Sequence, residues 1–246
     1  MCINQQLCGL YKEADRLFEK LLCKGGYSDV FVTGVSDYAP QKRKKLLIVG
    51  QEARNWSWDK GEKLSHEERQ KYAVDYLNEN LELCQTSSAC AFNGSAFWEM
   101  MRFVYRETEY FPIWANLDKV HTYQNCITTP LQTFEEEKLL LKRCFDGKTL
   151  LQKEIELIEP DAVLLVTGPT YYKATNYALG VEKYNKRGDI LKENVPRWGE
   201  ACQVQRISVE DQVPMLWTYH PTYAKRKKKL EDYLLRIREA LSSSGS

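Results

Sequence analysis

The chain predicts an α/β domain built on a mostly parallel sheet, and three observations carry that prediction. Short aliphatic runs at 46–49 (Leu-Leu-Ile-Val), 162–166 (Ala-Val-Leu-Leu-Val) and 214–218 (Pro-Met-Leu-Trp-Thr) have the unbroken apolar character of strands covered on both faces. Amphipathic helical stretches alternate with them. Turn residues close the first two runs, at Gly50 and at Thr167-Gly168-Pro169, and Tyr219-His220-Pro221 follows the third directly.

The elements follow in order. Residues 5–23 form a helix, with Leu7, Leu10, Tyr11, Ala14, Leu17, Phe18 and Leu21 on one face and Gly25-Gly26 ending it. Residues 29–33 are a short strand or an extended arm. Ser65 with Glu68 three residues later is a capping box that opens a helix reaching 80–84. A second helix with an aromatic face covers 95–105. A third covers 134–158, with a break at Asp146-Gly147 and Pro160 marking its end. A terminal helix at 230–241 rests on Leu230, Tyr233, Leu234, Ile237 and Leu241, and 242–246 read as a frayed tail. No repeat or low-complexity linker divides the 246 residues, so a single domain spans 1–246, with 1–40 as a helical extension.

Composition narrows the function classes. The 43% hydrophobic fraction supports a sizeable core, and the 28% charged fraction excludes wholesale disorder. The apolar runs are far shorter than the ~20 residues a bilayer span needs, so no membrane partner is expected. With no secretory pattern at the N-terminus, an intracellular location is expected, cytoplasmic in a prokaryote and nuclear in a eukaryote. The net charge of +1 gives no global attraction to a polyanion, so only the local clusters 42–45 and 225–229 can supply one. A solvated surface face is the plainer account of such a run. The eight cysteines contain no Cys-x-x-Cys, and the three histidines are dispersed, so no metal or cofactor site is expected.

In open α/β sheets ligands sit at the carboxyl ends of the strands, which here carry Gly50-Gln51-Glu52, Gly168-Pro169-Thr170 and His220-Pro221-Thr222. Glu52 is placed to orient or deprotonate a water, or serves as a helix N-terminal acid or surface ion pair. His220 is placed to donate to charge developing on a leaving group, or bonds only backbone in its turn. Asn116 has an amide able to read a planar base edge, or is a turn or cap residue. Phe92 is a stacking ring or core. Gly168-Pro-Thr-Tyr-Tyr172 offers a phosphate turn, although neither glycine-rich nucleotide fingerprint is present.

Taken together, strand–Gly50-Gln51-Glu52 and strand–His220-Pro221-Thr222 resemble the two signature motifs of the uracil-DNA glycosylase superfamily, Gly-Gln-Asp-Pro-Tyr and His-Pro-Ser-Pro-Leu. The segment Trp114-Ala-Asn116-Leu and the stretch from Cys144 to Gly168 look similar too, so the resemblance extends over roughly 45–229. It implies a three-layer α/β/α sandwich with a four-stranded, mostly parallel sheet. It also implies an enzyme that hydrolyses the N-glycosidic bond of a base taken from single- or double-stranded DNA, in repair or defence.

In that scheme His220 stabilises the departing base and Glu52 orients water. Gln51 and Asn116 recognise the base edge, with Phe92 stacking. Thr222 and the basic run with Lys225, Arg226 and Lys228 bind phosphate. No cofactor or obligatory protein partner is implied, although some relatives carry a four-cysteine iron–sulfur site. The departures are Glu52 for Asp, Ala53 and Arg54 for Pro and Tyr, Asn55 for His, and Ala224 for a duplex-wedging Leu. Arg54 becomes a replacement reader of a modified base or a surface charge, and the target need not be uracil. The competing readings are a non-catalytic nucleic-acid-binding module of the same fold and a flavodoxin-like nucleotide-binding protein.

Overall fold

The computed structural model describes residues 2–22, 30–52, 64–84, 93–119, 145–180, 203–207 and 213–243. Its centre is a five-stranded sheet in the order β2-β1-β3-β5-β4, formed by β1 (Lys44–Glu52), β2 (Tyr110–Asp118), β3 (Ala162–Leu165), β4 (Val204–Ile207) and β5 (Met215–Thr218). The first four in that order are mutually parallel, while β4 lies antiparallel on β5 with Val204 opposite Thr218. The sheet therefore has one strand more than the four that the resemblance implied. The addition is the edge strand β4, whose half-exposed Val-Gln-Arg-Ile pattern lacks the continuous apolar character that marks the buried strands.

Seven α-helices flank the sheet among the described residues: α1 (Ile3–Leu22), α2 (His66–Asn80), α3 (Ala96–Glu107), α4 (Leu150–Ile158), α5 (Tyr172–Ala178), α6 (Pro221–Arg226) and α7 (Leu230–Ser242). α3 packs on β2, α6 and α7, whereas α1 packs on α2 and α4, which gives the expected three-layer α/β fold. None of these helices is long and apolar enough to cross a membrane.

Sequence accounts for the boundaries. Ser65 Oγ accepts the Glu68 amide, and Glu68 returns the bond to the Ser65 amide, closing the capping box of α2. Thr149 and Gln152 close a second box that starts α4, after a turn at 145–148. Only residues 150–158 of the long helix expected over 134–158 are helical among those described, since Asp146 and Gly147 both take positive φ. The arm 30–36 forms neither helix nor strand, yet Val30, Phe31, Val32 and Thr33 are fully buried.

α1 sends Leu7, Tyr11 and Ala14 into the common core. There the Tyr11 hydroxyl donates to Glu154, and Lys119 Nζ donates to both Glu154 oxygens at 2.6 and 2.8 Å. Tyr11 Oη in turn accepts the Thr33 amide at 2.8 Å. One buried carboxylate thus joins α1, the arm, α4 and the chain just beyond β2. The basic cluster 42–45 lies at the opposite end of the sheet from the strand C-termini. Lys44 pairs with Glu109 at 2.6 Å and Lys42 donates to the Thr108 carbonyl at 3.1 Å, so these charges fasten the start of β1 to the turn before β2.

Candidate active site

Parallel pairing brings the C-terminal ends of β1, β2, β3 and β5 to one edge of the sheet, as open α/β topology requires. A cavity of about 750 Å3 opens there, lined by residues from every one of those strand ends and from α2 and α3. Of the residues singled out from the sequence, Gln51, Asn116, His220, Thr222 and Arg226 line this one cavity. Glu52 is the last residue of β1, register-paired with Asp118 on β2. Arg54 and Phe92 lie outside the described residues.

Asn116 lies within β2, not in a turn, and is 2% exposed. Trp114, two residues earlier on the same face of the strand, donates its indole Nε1–H to Asn116 Oδ1 at 3.2 Å. Because an indole nitrogen is only a donor, this bond fixes which end of the amide is oxygen. Asn116 Nδ2 is left buried with no hydrogen-bond partner among the described residues. A buried donor without an acceptor is costly unless water or a ligand completes it, and this donor belongs to a residue that lines the cavity. Gly50, opposite Asn116 in the register, makes room for the amide, since a β-carbon there would come within 2.5 Å of Oδ1.

Gln51 turns its Nε2 to the Thr167 carbonyl at 2.7 Å, tying the end of β1 to the end of β3. Beyond Thr167 the chain turns at Gly168 (φ +64°), whose amide donates to the Thr218 carbonyl at 3.1 Å. The turn at 168–172, considered as a phosphate loop, forms a single 3-10 turn, Pro169–Tyr171, leading into α5. Gly168, Pro169 and Thr170 help line the cavity.

His220 caps α6, its Nδ1 accepting the Thr222 amide at 3.3 Å. With Nδ1 acting as acceptor, a neutral imidazole carries its proton on Nε2 and presents a donor there. The ring lies nearly parallel to Phe97, 14° between planes and 6.2 Å between centroids. The preceding residue is also anchored, because Tyr233 of α7 donates to the Tyr219 carbonyl at 2.8 Å.

The far wall is aromatic, and its Tyr72 and Tyr76 are not among the residues to which the sequence points. Tyr72 and Tyr76 of α2 stand 14° from parallel at 6.1 Å, and Tyr76 meets Trp98 at 5.3 Å and Trp114 at 5.9 Å. The i, i+4 spacing of two tyrosines on an otherwise charged helix was the available signal. Beside them Asn93, the residue after Phe92, is held by Asn80 Oδ1 on its amide at 2.8 Å and by Tyr76 Oη on its Nδ2 at 3.0 Å.

The C-terminal basic run divides. Lys225 pairs with Glu99 of α3, and Lys227 Nζ sits 5.6 Å from the centroid of the Tyr223 ring. All five residues of the run are exposed, and only Arg226 lines the cavity. Among the described residues no cluster of three metal-ligating side chains occurs. No protein-family model matches the chain, and no curated protein matches it.

Proposed function

We propose that the protein is a DNA glycosylase that hydrolyses the N-glycosidic bond of a uracil-like, damaged or modified base held in the cavity at the strand C-termini. The observation that carries this reading is the pairing, across one cavity, of a buried unsatisfied amide donor on Asn116 with the capped imidazole of His220. The resemblance of the Gly50-Gln51-Glu52 and His220-Pro221-Thr222 motifs to those of the uracil-DNA glycosylase superfamily agrees with it.

Glycosidic cleavage moves negative charge onto the departing base and positive charge onto the sugar. Nε2–H of a neutral His220 donates to a base oxygen as that charge grows, and does so without first giving up a proton. Asn116 Nδ2 donates to an acceptor on the base edge. Its orientation is preset by Trp114, so binding does not have to order it. Glu52, the last residue of β1, is assigned to orient the attacking water and offset the oxocarbenium-like sugar. Arg226 and Thr222 meet the backbone phosphates at the cavity lip.

The test is strand nicking. Oligonucleotides carrying uracil, hypoxanthine, a G·T mismatch or a hydroxymethylated pyrimidine are incubated with the protein and then with alkali. Breaks are expected with at least one base, lost in His220→Ala and Glu52→Ala while DNA affinity stays within about twofold of the parent. Equal cleavage by both variants removes the catalytic assignment. Binding without breaks across a panel widened to other modified bases favours a non-catalytic module.

A further inference from the structure

The outer end of the aromatic wall bears on which form of DNA enters. Among the described residues, Leu17 and Tyr72 are the two large hydrophobic side chains with substantial exposure, at 38% and 36%. Leu17 belongs to α1, whereas Tyr72 lines the cavity. Tyr72 belongs to a continuous series of rings that passes through Tyr76 and Trp114 to Phe97 and His220.

A base extruded from duplex DNA leaves a gap, and proteins that open duplexes fill or force it with an apolar wedge projecting between base steps. The helix that follows His220 offers no such wedge. Pro221 and Ala224 are buried, and the Tyr223 ring is stacked on Tyr219 at 5.0 Å and 20°. Tyr72 is poorly shaped for that work, because nearly two thirds of it is covered and its ring is backed in parallel by Tyr76. A flat, backed ring is instead what an unpaired base stacks on. Positive charge stands at the same mouth in Arg226, followed by the exposed Lys228, and complements a phosphate backbone.

We propose that Tyr72, supported by Tyr76, is a stacking platform for the nucleotide next to the excised one, so that the substrate is single-stranded DNA. This rests on the glycosylase reading above and adds the strand state to it.

The experiment measures binding apart from cleavage. A short labelled single-stranded oligonucleotide of ordinary bases, the same sequence as a duplex, and a single strand with abasic residues throughout are titrated by fluorescence anisotropy. The proteins are the parent, Tyr72→Ala and Tyr72→Phe. Single-strand affinity should fall roughly tenfold or more in Tyr72→Ala and stay within about twofold in Tyr72→Phe, which keeps the ring. The duplex and the abasic strand should not distinguish the three proteins.

Unchanged single-strand affinity in Tyr72→Ala overturns the platform. A loss on the duplex as large as on the single strand also overturns it, and makes Tyr72 a wedge. The base-release assay run beside it separates the two claims. Tyr72-dependent single-strand binding without release from any substrate leaves the platform standing and removes the glycosylase reading. Release from single strands at the parental rate and KM by Tyr72→Ala does the reverse.

Discussion

Gly50 and Asn116 face each other across β1 and β2 at a separation that excludes any side chain on the glycine. A β-carbon at position 50 would lie 2.5 Å from Asn116 Oδ1, well inside contact distance. That oxygen cannot move freely, because it holds the Trp114 indole N–H. The backbone of one strand therefore sets the position of the amide on the next, and with it the unpaired Nδ2.

Gly50→Ala is expected to push the Asn116 amide out of place and destabilise the fold by about 1–3 kcal/mol through overpacking. Base release should fall by more than the change in folded fraction explains. Urea melts give the first quantity and single-turnover nicking the second. Parental turnover in a folded Gly50→Ala protein would show that Asn116 is not the base reader.

Trp114→Phe tests the same amide from its other side. The ring volume is largely kept against Phe31 and Trp98, so the fold should lose less than about 1.5 kcal/mol. Without the indole donor the amide is free to rotate, and a preset donor becomes one of two orientations. The expected outcome is slower base release with the ranking among target bases relaxed. An unchanged ranking would show that Trp114 only packs.

The parts of this arrangement that could be read directly are those where burial is uniform. Residues 46–49, 162–165 and 215–217 are covered on both sides and so consist of unbroken apolar residues. β2 is just as buried, but its apolar run is interrupted by Pro112, Asn116 and Asp118. That interruption hides the strand, and the same feature gives Asn116 the look of a turn residue. The Trp114–Asn116 bond follows from the two-residue repeat of a strand, once the strand itself is known. β4 is hidden because an edge strand is half exposed, and Tyr72 because its i, i+4 pairing with Tyr76 is a single spacing that ordinary helix packing also produces.

Beneath β2, Lys119 and Glu154 form a buried ion pair, 2% and 0% exposed, that also receives the Tyr11 hydroxyl. Removing one member leaves the other charged and unpaired, so Lys119→Met should cost about 3–5 kcal/mol. Lys119→Met with Glu154→Leu should recover much of that loss, because the charges then vanish together. Chemical denaturation of the single and double variants checks this. A double variant no more stable than the single one would mean that the Tyr11 and Thr33 hydroxyls depend on Glu154 as much as Lys119 does.

The same cluster predicts behaviour in alkali. Burial first, and then the neighbouring Glu154 charge, hold the Tyr11 hydroxyl well above its ordinary 10. Above pH 10 the unfolded tyrosine loses its proton while the folded one keeps it. The folded state then binds more protons, and stability falls as pH rises. Burial acts in the opposite sense on Lys119, holding its ammonium below its ordinary 10.5, so the cost of that charge eases as pH approaches 10.5. Tyr11→Phe should be less stable than the parent near pH 8 and should decline less steeply above pH 10. Equal slopes in urea melts across that range would mean that Tyr11 ionises in the folded protein as it does in the unfolded one.

The division within the basic run predicts unequal effects on DNA binding. Lys225 is held by Glu99, so its charge is already partly compensated, whereas Arg226 lies exposed at the cavity. Each phosphate contact on single strands contributes about 0.7 to the slope of log affinity against log salt. Arg226→Gln should therefore flatten that slope by close to one contact and weaken binding similarly for all sequences. Lys225→Gln should change it less, because a lysine held by Glu99 is not available for a phosphate contact of its own. Lys228→Gln, also exposed but not lining the cavity, should fall between them. Anisotropy titrations at several salt concentrations give the three slopes directly. Slopes equal to the parent in all three variants would return the run to an ordinary solvated face and leave Tyr72 and the cavity as the whole of the DNA contact.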